Sequence, residues 1–179
     1  MVALLVAIIF IAGAGIYHHK TKPRHFLVVK KGFLYRSAIL KPDNLKKVLD
    51  DYKIKTVVSL SGYDDSENIA RQKEENRICS EMGVTVISLP MFAAKPPSER
   101  QITRWLNVLR NPYRPPILVH CTYGVVRTGM MVAIYEMEVN GKDNQQAFSE
   151  QPTFGHDWAE NLKDFLLNYT PRTRETENG

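Results

Sequence analysis

The 179-residue chain predicts an α/β fold in which a central, mostly parallel sheet is flanked by helices. Three apolar segments have the length of buried strands, at residues 56–60, 84–89 and 117–119. Segments with helical spacing lie between them, and this alternation is typical of a parallel sheet covered on both faces. Ligands of such sheets bind beyond the carboxyl ends of the strands, where we expect the functional residues.

The first half of the chain contributes a hairpin and two helices. Residues 26–38, FLVVKKGFLYRSA, predict two short strands around a Lys-Gly turn. A helix is predicted over residues 42–52, where the first residue is proline and the apolar residues share one face. A second helix is predicted over residues 67–82 and ends at Gly83.

The second half adds further helices. Ser98 and Gln101 form a capping-box pattern that begins a helix, and the Pro-rich segment 112–116 ends it. Residues 144–150 and 157–169 have helical character. We therefore expect an apolar N-terminal segment, a globular domain and a polar tail, over residues 1–17, 25–170 and 171–179.

The segment ILVHCTYGVVRTGM, residues 117–130, joins a predicted strand to a predicted helix. Unpaired backbone N–H groups before a helix N-terminus, together with the helix dipole, favour a bound anion. Gly124 allows the chain to curl tightly there. The same electrostatic field favours the thiolate form of Cys121 and lowers its pKa. Arg127 supplies a planar fork that matches two phosphate oxygens.

His120, Cys121, Gly124, Arg127 and Thr128 resemble the HC-x-x-G-x-x-R-T pattern of the cysteine-dependent protein tyrosine phosphatases. Residues 121–127 are called the signature loop below. The alternative is a buried cysteine in an ordinary strand-to-helix turn. LYRSA at 34–38 and IKTVVSL at 54–60 are similar to the opening of the atypical dual-specificity phosphatases of bacteria and fungi. This resemblance covers roughly residues 26–169 and implies a dual-specificity phosphatase-like fold.

The resemblance also implies a two-step reaction. The Cys121 thiolate attacks phosphorus, and water hydrolyses the cysteinyl-phosphate. Arg127 and the loop amides hold the phosphate oxygens, and Thr128 assists departure of the sulfur. His120 supports the loop, with a purely structural histidine as an equal alternative. The implied substrate-binding residues are Thr122, Tyr123, Gly124, Val125, Val126 and Arg127.

The proton donor for the leaving group is missing at its expected place. The resemblance implies an aspartate after the strand at 84–89, and the matching residue is Ala93. Three explanations stay open. Another carboxylate substitutes; or an acidic leaving group needs little help; or the protein binds phosphate and turns over slowly. The candidate carboxylates are Asp64, Asp65, Glu99 and Asp157.

The loop interior bears on the substrate. Its variable positions carry no lysine and no second arginine, whereas phosphatases of highly charged inositol lipids resemble this signature with basic residues there, so the resemblance favours a phosphoprotein substrate. We expect hydrolysis of phosphotyrosine, with phosphoserine and phosphothreonine as further substrates. The alternatives are a phosphate-binding pseudophosphatase and a phosphoinositide or inositol-phosphate phosphatase. Arg36 in LYRSA is predicted to be a structural ion-pair partner in preference to a phosphate ligand.

Composition sets further limits on partners and cofactors. A formal charge of +5 and a pI near 9.2 fit an anionic substrate. Basic and aromatic residues do not interleave as nucleic-acid binding requires, so no nucleic-acid partner is expected. The histidines lack the spacing of metal ligands, and we expect neither metal nor cofactor. Cys79 is expected to be a small core residue.

The N-terminus begins with the apolar segment MVALLVAIIFIAGAGIY, followed by basic residues. It is short for a membrane span, which needs about 20 residues. An uncleaved membrane anchor is favoured over a signal peptide because no basic residue precedes the segment. We therefore expect a membrane-anchored protein whose apolar N-terminal helix contacts the bilayer. The side is left open between the cytoplasmic and the periplasmic or extracytoplasmic face, and a buried core helix is a further alternative.

Overall fold

The computed structural model describes residues 23–62 and 66–172. Five strands occur in this part of the chain, with bounds Leu27–Lys30 (β1), Leu34–Ala38 (β2), Thr56–Ser59 (β3), Thr85–Ser88 (β4) and Ile117–Cys121 (β5). The helices are Pro42–Asp51 (α1), Ser66–Glu81 (α2), Glu99–Arg110 (α3), Val126–Val139 (α4), Asn144–Ser149 (α5) and Glu160–Leu167 (α6).

The strands form one sheet in the order β1-β2-β5-β3-β4. Strands β1 and β2 pair antiparallel as the predicted hairpin, and every other pairing is parallel. This confirms the predicted α/β fold with a mostly parallel sheet. Strand β5 lies between β2 and β3, with Cys121 opposite Ala38 and His120 opposite Ser59. Cys121 therefore lies at the carboxyl end of the central strand.

Alternate residues of β5 face two separate layers of the core. Ile117, Val119 and Cys121 belong to the cluster that includes residues of α3, α4 and α6. Leu118 belongs to the cluster formed with α1 and α2. Because successive side chains of a strand point to opposite faces, β5 is buried on both sides. This double burial explains its continuous apolar run.

The last helix begins later than predicted. It starts at Glu160 and not at residue 157, because Ala159 has extended backbone angles (φ −62°, ψ 144°). Phe154 and Gly155 both have positive φ, at 49° and 79°, which interrupts any helix before that point. Residues 152–159 are consequently a loop, and this loop lies beside the signature loop.

The predicted membrane anchoring is corrected. Within residues 23–62 and 66–172, no helix has both the length and the apolar composition of a membrane-spanning segment. The longest helix of this part, α2, has 16 residues and is predominantly polar. On this finding the predicted membrane-anchored location and the membrane partner are withdrawn. The predicted apolar helix over residues 1–17 lies outside the described residues, and the domain limits 25–170 stay a prediction.

Candidate active site

The signature loop curls around the sulfur of Cys121. The Gly124 N–H donates to Cys121 Sγ at 3.2 Å, which closes the first turn of the loop. Gly124 has a φ of +69°, and a Cβ at this position would overlap backbone atoms of Ser37 and Ala38. Both the backbone conformation and the close approach of β2 therefore require glycine here.

The environment of Cys121 favours the thiolate. The residue is only 2% exposed, and burial by itself raises the pKa of the thiol. The Thr128 hydroxyl, the Arg127 charge and the N–H groups of Thr128 and Gly124 together outweigh burial, so the pKa is lowered. By contrast, burial and the nearby Glu75 raise the pKa of Cys79 to about 12.

The Arg127 side chain contacts both the signature loop and the segments that follow β3 and β4. Its Nη2 donates to Thr122 Oγ1 at 3.1 Å, within the loop itself. Its Nη1 lies 3.4 Å from the carbonyl oxygens of Leu60 and Met91, which follow β3 and β4. The guanidinium is thus oriented by the carboxyl ends of two neighbouring strands, and it faces the same cavity as Cys121.

His120 forms a buried ion pair with Glu75 of α2. Its Nε2 lies 3.1 Å from the Glu75 carboxylate, and the two side chains are 1% and 4% exposed. Burial alone lowers the pKa of His120, but the Glu75 carboxylate and the neighbouring Cys121 outweigh it, so the pKa is raised. A buried imidazole paired with a carboxylate therefore lies directly before the cysteine in the sequence, which is compatible with the supporting role predicted for His120.

Arg36 contacts the loop from the side of β2. Its Nη2 donates to the carbonyl oxygens of Gly124 at 2.9 Å and Val125 at 3.3 Å. Its Nη1 donates to Gln151 Oε1 at 2.7 Å. The predicted structural ion pair is wrong: within residues 23–62 and 66–172, these neutral groups are the partners of the guanidinium. Arg36 supports the loop through hydrogen bonds.

A cavity of about 160 Å³ opens above Cys121. Its walls bring together the signature loop and the 152–159 loop, and its lining residues are Ala93, Cys121, Tyr123, Val125, Val126, Arg127, His156 and Asp157. The volume suits a phosphate group and the first atoms of its ester. A larger cavity of about 530 Å³ lies between α1 and α2, and Cys121 is not among its lining residues.

The predicted carboxylates fall in different places. Asp157 lines the cavity together with Ala93. Glu99 is paired with Arg172 at 2.8 Å and its side chain is 81% exposed, and it does not line the cavity. Asp64 and Asp65 lie outside the described residues. The sequence alone gave no signal for Glu75 or Gln151, because their partners are 45 and 115 residues distant.

Comparison with known protein families agrees with the geometry of the signature loop. The model of a family described as a DSP-PTPase phosphatase fused to NAD+ kinase matches residues 34–164. The chain belongs to this family. The predicted resemblance to the cysteine-dependent dual-specificity phosphatases is thereby confirmed, and the matched segment of this phosphatase family contains β2, the signature loop and most of α6.

The chain is also similar in sequence to a dual specificity protein phosphatase. The chain is 30% identical over 132 residues to the dual specificity protein phosphatase TpbA of Pseudomonas aeruginosa strain UCBPP-PA14. That alignment covers 73% of this chain and 55% of TpbA, so the chain spans about half the length of the curated relatives it matches.

Two solved structures are similar in fold. The P. aeruginosa TpbA structure in complex with pTyr is 25% identical, with a TM-score of 0.64, and covers 87% of this chain and 91% of its own. The core catalytic domain of the PP-IP phosphatase SIW14 from S. cerevisiae, in complex with citrate, is 23% identical with a TM-score of 0.67. It covers 87% of this chain and 93% of its own, and at this identity it supports the fold alone.

Proposed function

We propose that this chain hydrolyses phosphomonoesters, phosphotyrosine first among them, through a cysteinyl-phosphate intermediate. One observation carries the proposal: the buried Cys121 sulfur accepts the Gly124 N–H and faces the same cavity as the Arg127 guanidinium. A thiolate, a curled loop of N–H groups and one guanidinium are the groups that a phosphoryl transfer to sulfur needs.

The reaction divides into two displacements at phosphorus. In the first, the Cys121 thiolate forms the P–S bond while the P–O bond to the leaving group breaks, and an acid gives that oxygen a proton. In the second, water attacks phosphorus, the P–S bond breaks and the thiolate is regenerated, while a base accepts the proton from water. Arg127 and the N–H groups of residues 122–127 stabilise the oxygens of both transition states.

Thr128 and His120 have supporting roles in this scheme. The Thr128 hydroxyl is buried and interacts with Cys121, where it lowers the pKa of the thiol. It therefore stabilises the thiolate as the P–S bond breaks in the second step. His120, held by Glu75 at 3.1 Å, fixes the end of β5 from which the signature loop begins.

Asp157 is proposed as the acid that replaces the residue missing at Ala93. It lines the cavity above Cys121, and its two neighbours fix the loop that carries it. The His156 ring lies 5.8 Å from the Tyr123 ring of the signature loop. The Trp158 side chain is 5% exposed and packs on Gly129 of α4, where a Cβ would be 2.6 Å from the indole.

The acid is tested with substrates of different leaving groups. Asp157→Asn should slow turnover of phenyl phosphate about 10²- to 10⁴-fold and slow turnover of p-nitrophenyl phosphate much less, because nitrophenolate leaves without a proton. Asp164→Asn, an exposed aspartate on α6, is the matched control. Equal losses on both substrates, or an unchanged basic limb of the pH–rate profile, would exclude Asp157 as the donor.

A phosphotyrosine substrate is supported by the lining of the cavity. Tyr123, Val125 and Val126 give it an apolar wall, and Arg127 is the arginine among its lining residues. An aryl ester fits this wall, whereas a polyanionic inositol phosphate needs several cations. The P. aeruginosa TpbA structure that resembles this chain holds pTyr. Phosphate release from phosphotyrosine, phosphoserine and phosphothreonine peptides and from inositol phosphates decides the class.

The whole proposal is tested by turnover of p-nitrophenyl phosphate. Cys121→Ser should abolish it, whereas Cys79→Ala should retain it, because Cys79 is a core residue with a raised pKa. Wild-type protein that is as inactive as Cys121→Ser, yet binds vanadate, would refute hydrolysis and identify a phosphate-binding pseudophosphatase.

A further inference from the structure

Arg36 is a buried cation on β2 whose partners carry no charge. It is 2% exposed, and its hydrogen bonds go to Gln151 Oε1 and to the carbonyl oxygens of Gly124 and Val125. In the described ranges, 23–62 and 66–172, its Nε is buried without a hydrogen-bond partner. A buried charge is normally paired, because leaving water costs several kcal/mol per ion. Arg36 is therefore an exception that requires an explanation.

The two carbonyl contacts have a geometric consequence for the signature loop. In a planar trans peptide, the C=O and the N–H point in opposite directions. The carbonyl oxygens of Gly124 and Val125 point toward Arg36 at 2.9 and 3.3 Å. The N–H groups of Val125 and Val126, which belong to the same two peptides, therefore point away from Arg36. Both valines line the cavity above Cys121.

The electrostatic consequence concerns Cys121. Gly124 connects Arg36 to the sulfur: its N–H donates to Cys121 Sγ, and its carbonyl oxygen accepts from Arg36 Nη2. Burial lowers the pKa of Arg36 to about 10, and the Cys121 thiolate acts in the opposite direction. The thiolate is thus a nearby negative charge that offsets part of the effect of burial on the guanidinium. His120 differs from Arg36, because its buried imidazole is paired with the Glu75 carboxylate.

We propose that Arg36 is the positioning residue that sets the anion affinity of the signature loop. Its fork orients the Val125 and Val126 N–H groups toward the phosphate, and its buried charge is balanced by the thiolate or by the bound phosphate. The inference rests on the proposed function for the identity of the anion. It assigns to Arg36 a role in anion binding and thiol ionisation that the proposed two-step reaction does not include.

A single carboxylate tests the charge balance. Gln151 Oε1 lies 2.7 Å from Arg36 Nη1, so Gln151→Glu gives the guanidinium a buried counter-ion of the same size and shape. The hydrogen bond from Gln151 Nε2 to the Ala147 carbonyl oxygen, at 2.9 Å, is lost in Gln151→Glu and in Gln151→Met alike, so the comparison of these two variants isolates the charge. If Arg36 only held the structure together, this added ion pair would leave the loop unaffected. Under the proposal the new carboxylate competes with the anion. Tungstate affinity should then fall about 10- to 100-fold, and the pH midpoint for alkylation of Cys121 by iodoacetate should rise.

Substitutions of Arg36 separate charge from orientation. Arg36→Met removes both, so it should raise the alkylation midpoint and weaken tungstate binding. Arg36→Lys keeps the charge, but a single ammonium cannot bond Gln151 and the two loop carbonyl groups together as Nη1 and Nη2 of the guanidinium do. It should therefore weaken tungstate binding with a smaller effect on thiol ionisation. Gln151→Met, which loses the amide without adding a charge, is the control for Gln151→Glu. Arg77→Met, at an exposed arginine of α2, is the control for Arg36→Met.

The measurements use the full chain with Cys79→Ala, so that Cys121 is the alkylated thiol. Gln151→Glu with wild-type tungstate affinity and a wild-type alkylation midpoint overturns the proposal, even if Arg36→Met does not fold. Gln151→Met that reproduces the Gln151→Glu effects also overturns it, because charge would then be irrelevant. Wild-type protein that binds tungstate but does not hydrolyse p-nitrophenyl phosphate refutes the proposed hydrolysis and leaves the Arg36 result standing.

Discussion

Replacing Gly124 by alanine should damage the signature loop by two separable effects. Gly124 has a φ of +69°, and an alanine in this region costs about 1–2 kcal/mol. The added methyl group also overlaps backbone atoms of Ser37 and Ala38 on β2, and overpacking of this kind costs about 1–3 kcal/mol more. Backbone cannot rotate away as a flexible side chain does. We therefore expect Gly124→Ala to lower the free energy of unfolding by about 2–5 kcal/mol.

Gly141, between α4 and α5, provides a matched control. It has the same φ of +69°, but a Cβ there meets nothing within 4 Å. Gly141→Ala should lower the free energy of unfolding by about 1–2 kcal/mol and leave p-nitrophenyl phosphate turnover unchanged. Urea unfolding of both variants isolates the overlap as the difference between them. Equal destabilisation of the two, or wild-type turnover by Gly124→Ala, would refute the close packing of the loop against β2.

Three further predictions concern the pair beside the cysteine, the thiol and a helix cap. Glu75→Gln should lower the free energy of unfolding by about 3 kcal/mol, against about 0–1 for the exposed Glu74→Gln, because it breaks a buried pair. The pKa of His120 is raised, so its pair with Glu75 stabilises the fold fully below about pH 6.5 and less as the pH rises through the pKa of the folded state. In urea unfolding at several pH values, Glu75→Gln should lose this pH dependence. The pKa of Cys121 is lowered, so ionisation of the thiol stabilises the fold above about pH 8.5, and this stabilisation is lost as the pH falls through the pKa of the folded state. The difference in free energy of unfolding between wild type and Cys121→Ser should therefore grow with pH, and a constant difference would contradict the prediction. Ser98→Ala should cost about 1 kcal/mol by removing the capping box of α3, without change in turnover, and an unchanged melting temperature would count against the cap.

Local patterns predicted the parts of the molecule that depend on near neighbours in the chain. The strand-loop-helix around Cys121 was expected because an apolar run, a glycine and a helical repeat follow one another within residues 117–130. The capping box of Ser98 and Gln101 is present as the spacing indicated. These features need only a few adjacent residues, so propensity and spacing suffice to define them.

The last helix shows where local patterns failed. Its apolar spacing extends over 157–169, but the extended backbone of Ala159 delays its start to Glu160. Spacing cannot reveal backbone angles that depend on how a loop packs against its neighbours. The sequence therefore could not distinguish Asp157 from the three other candidate carboxylates, whereas in the fold Asp157 lines the cavity above Cys121.

The alternation of strands and helices and the loop that presents a thiol before a helix N-terminus could be predicted along the chain, because each follows from consecutive residues. The absence of an acid at Ala93 followed from the resemblance to the phosphatase family. The partners of the buried charges could not be predicted in this way. Glu75 reaches His120, and Gln151 reaches Arg36, because α2 and the segment after α5 pack against the sheet from opposite sides. Such pairings depend on which distant surfaces are buried together, and burial is a property of the folded chain that no short window of residues encodes.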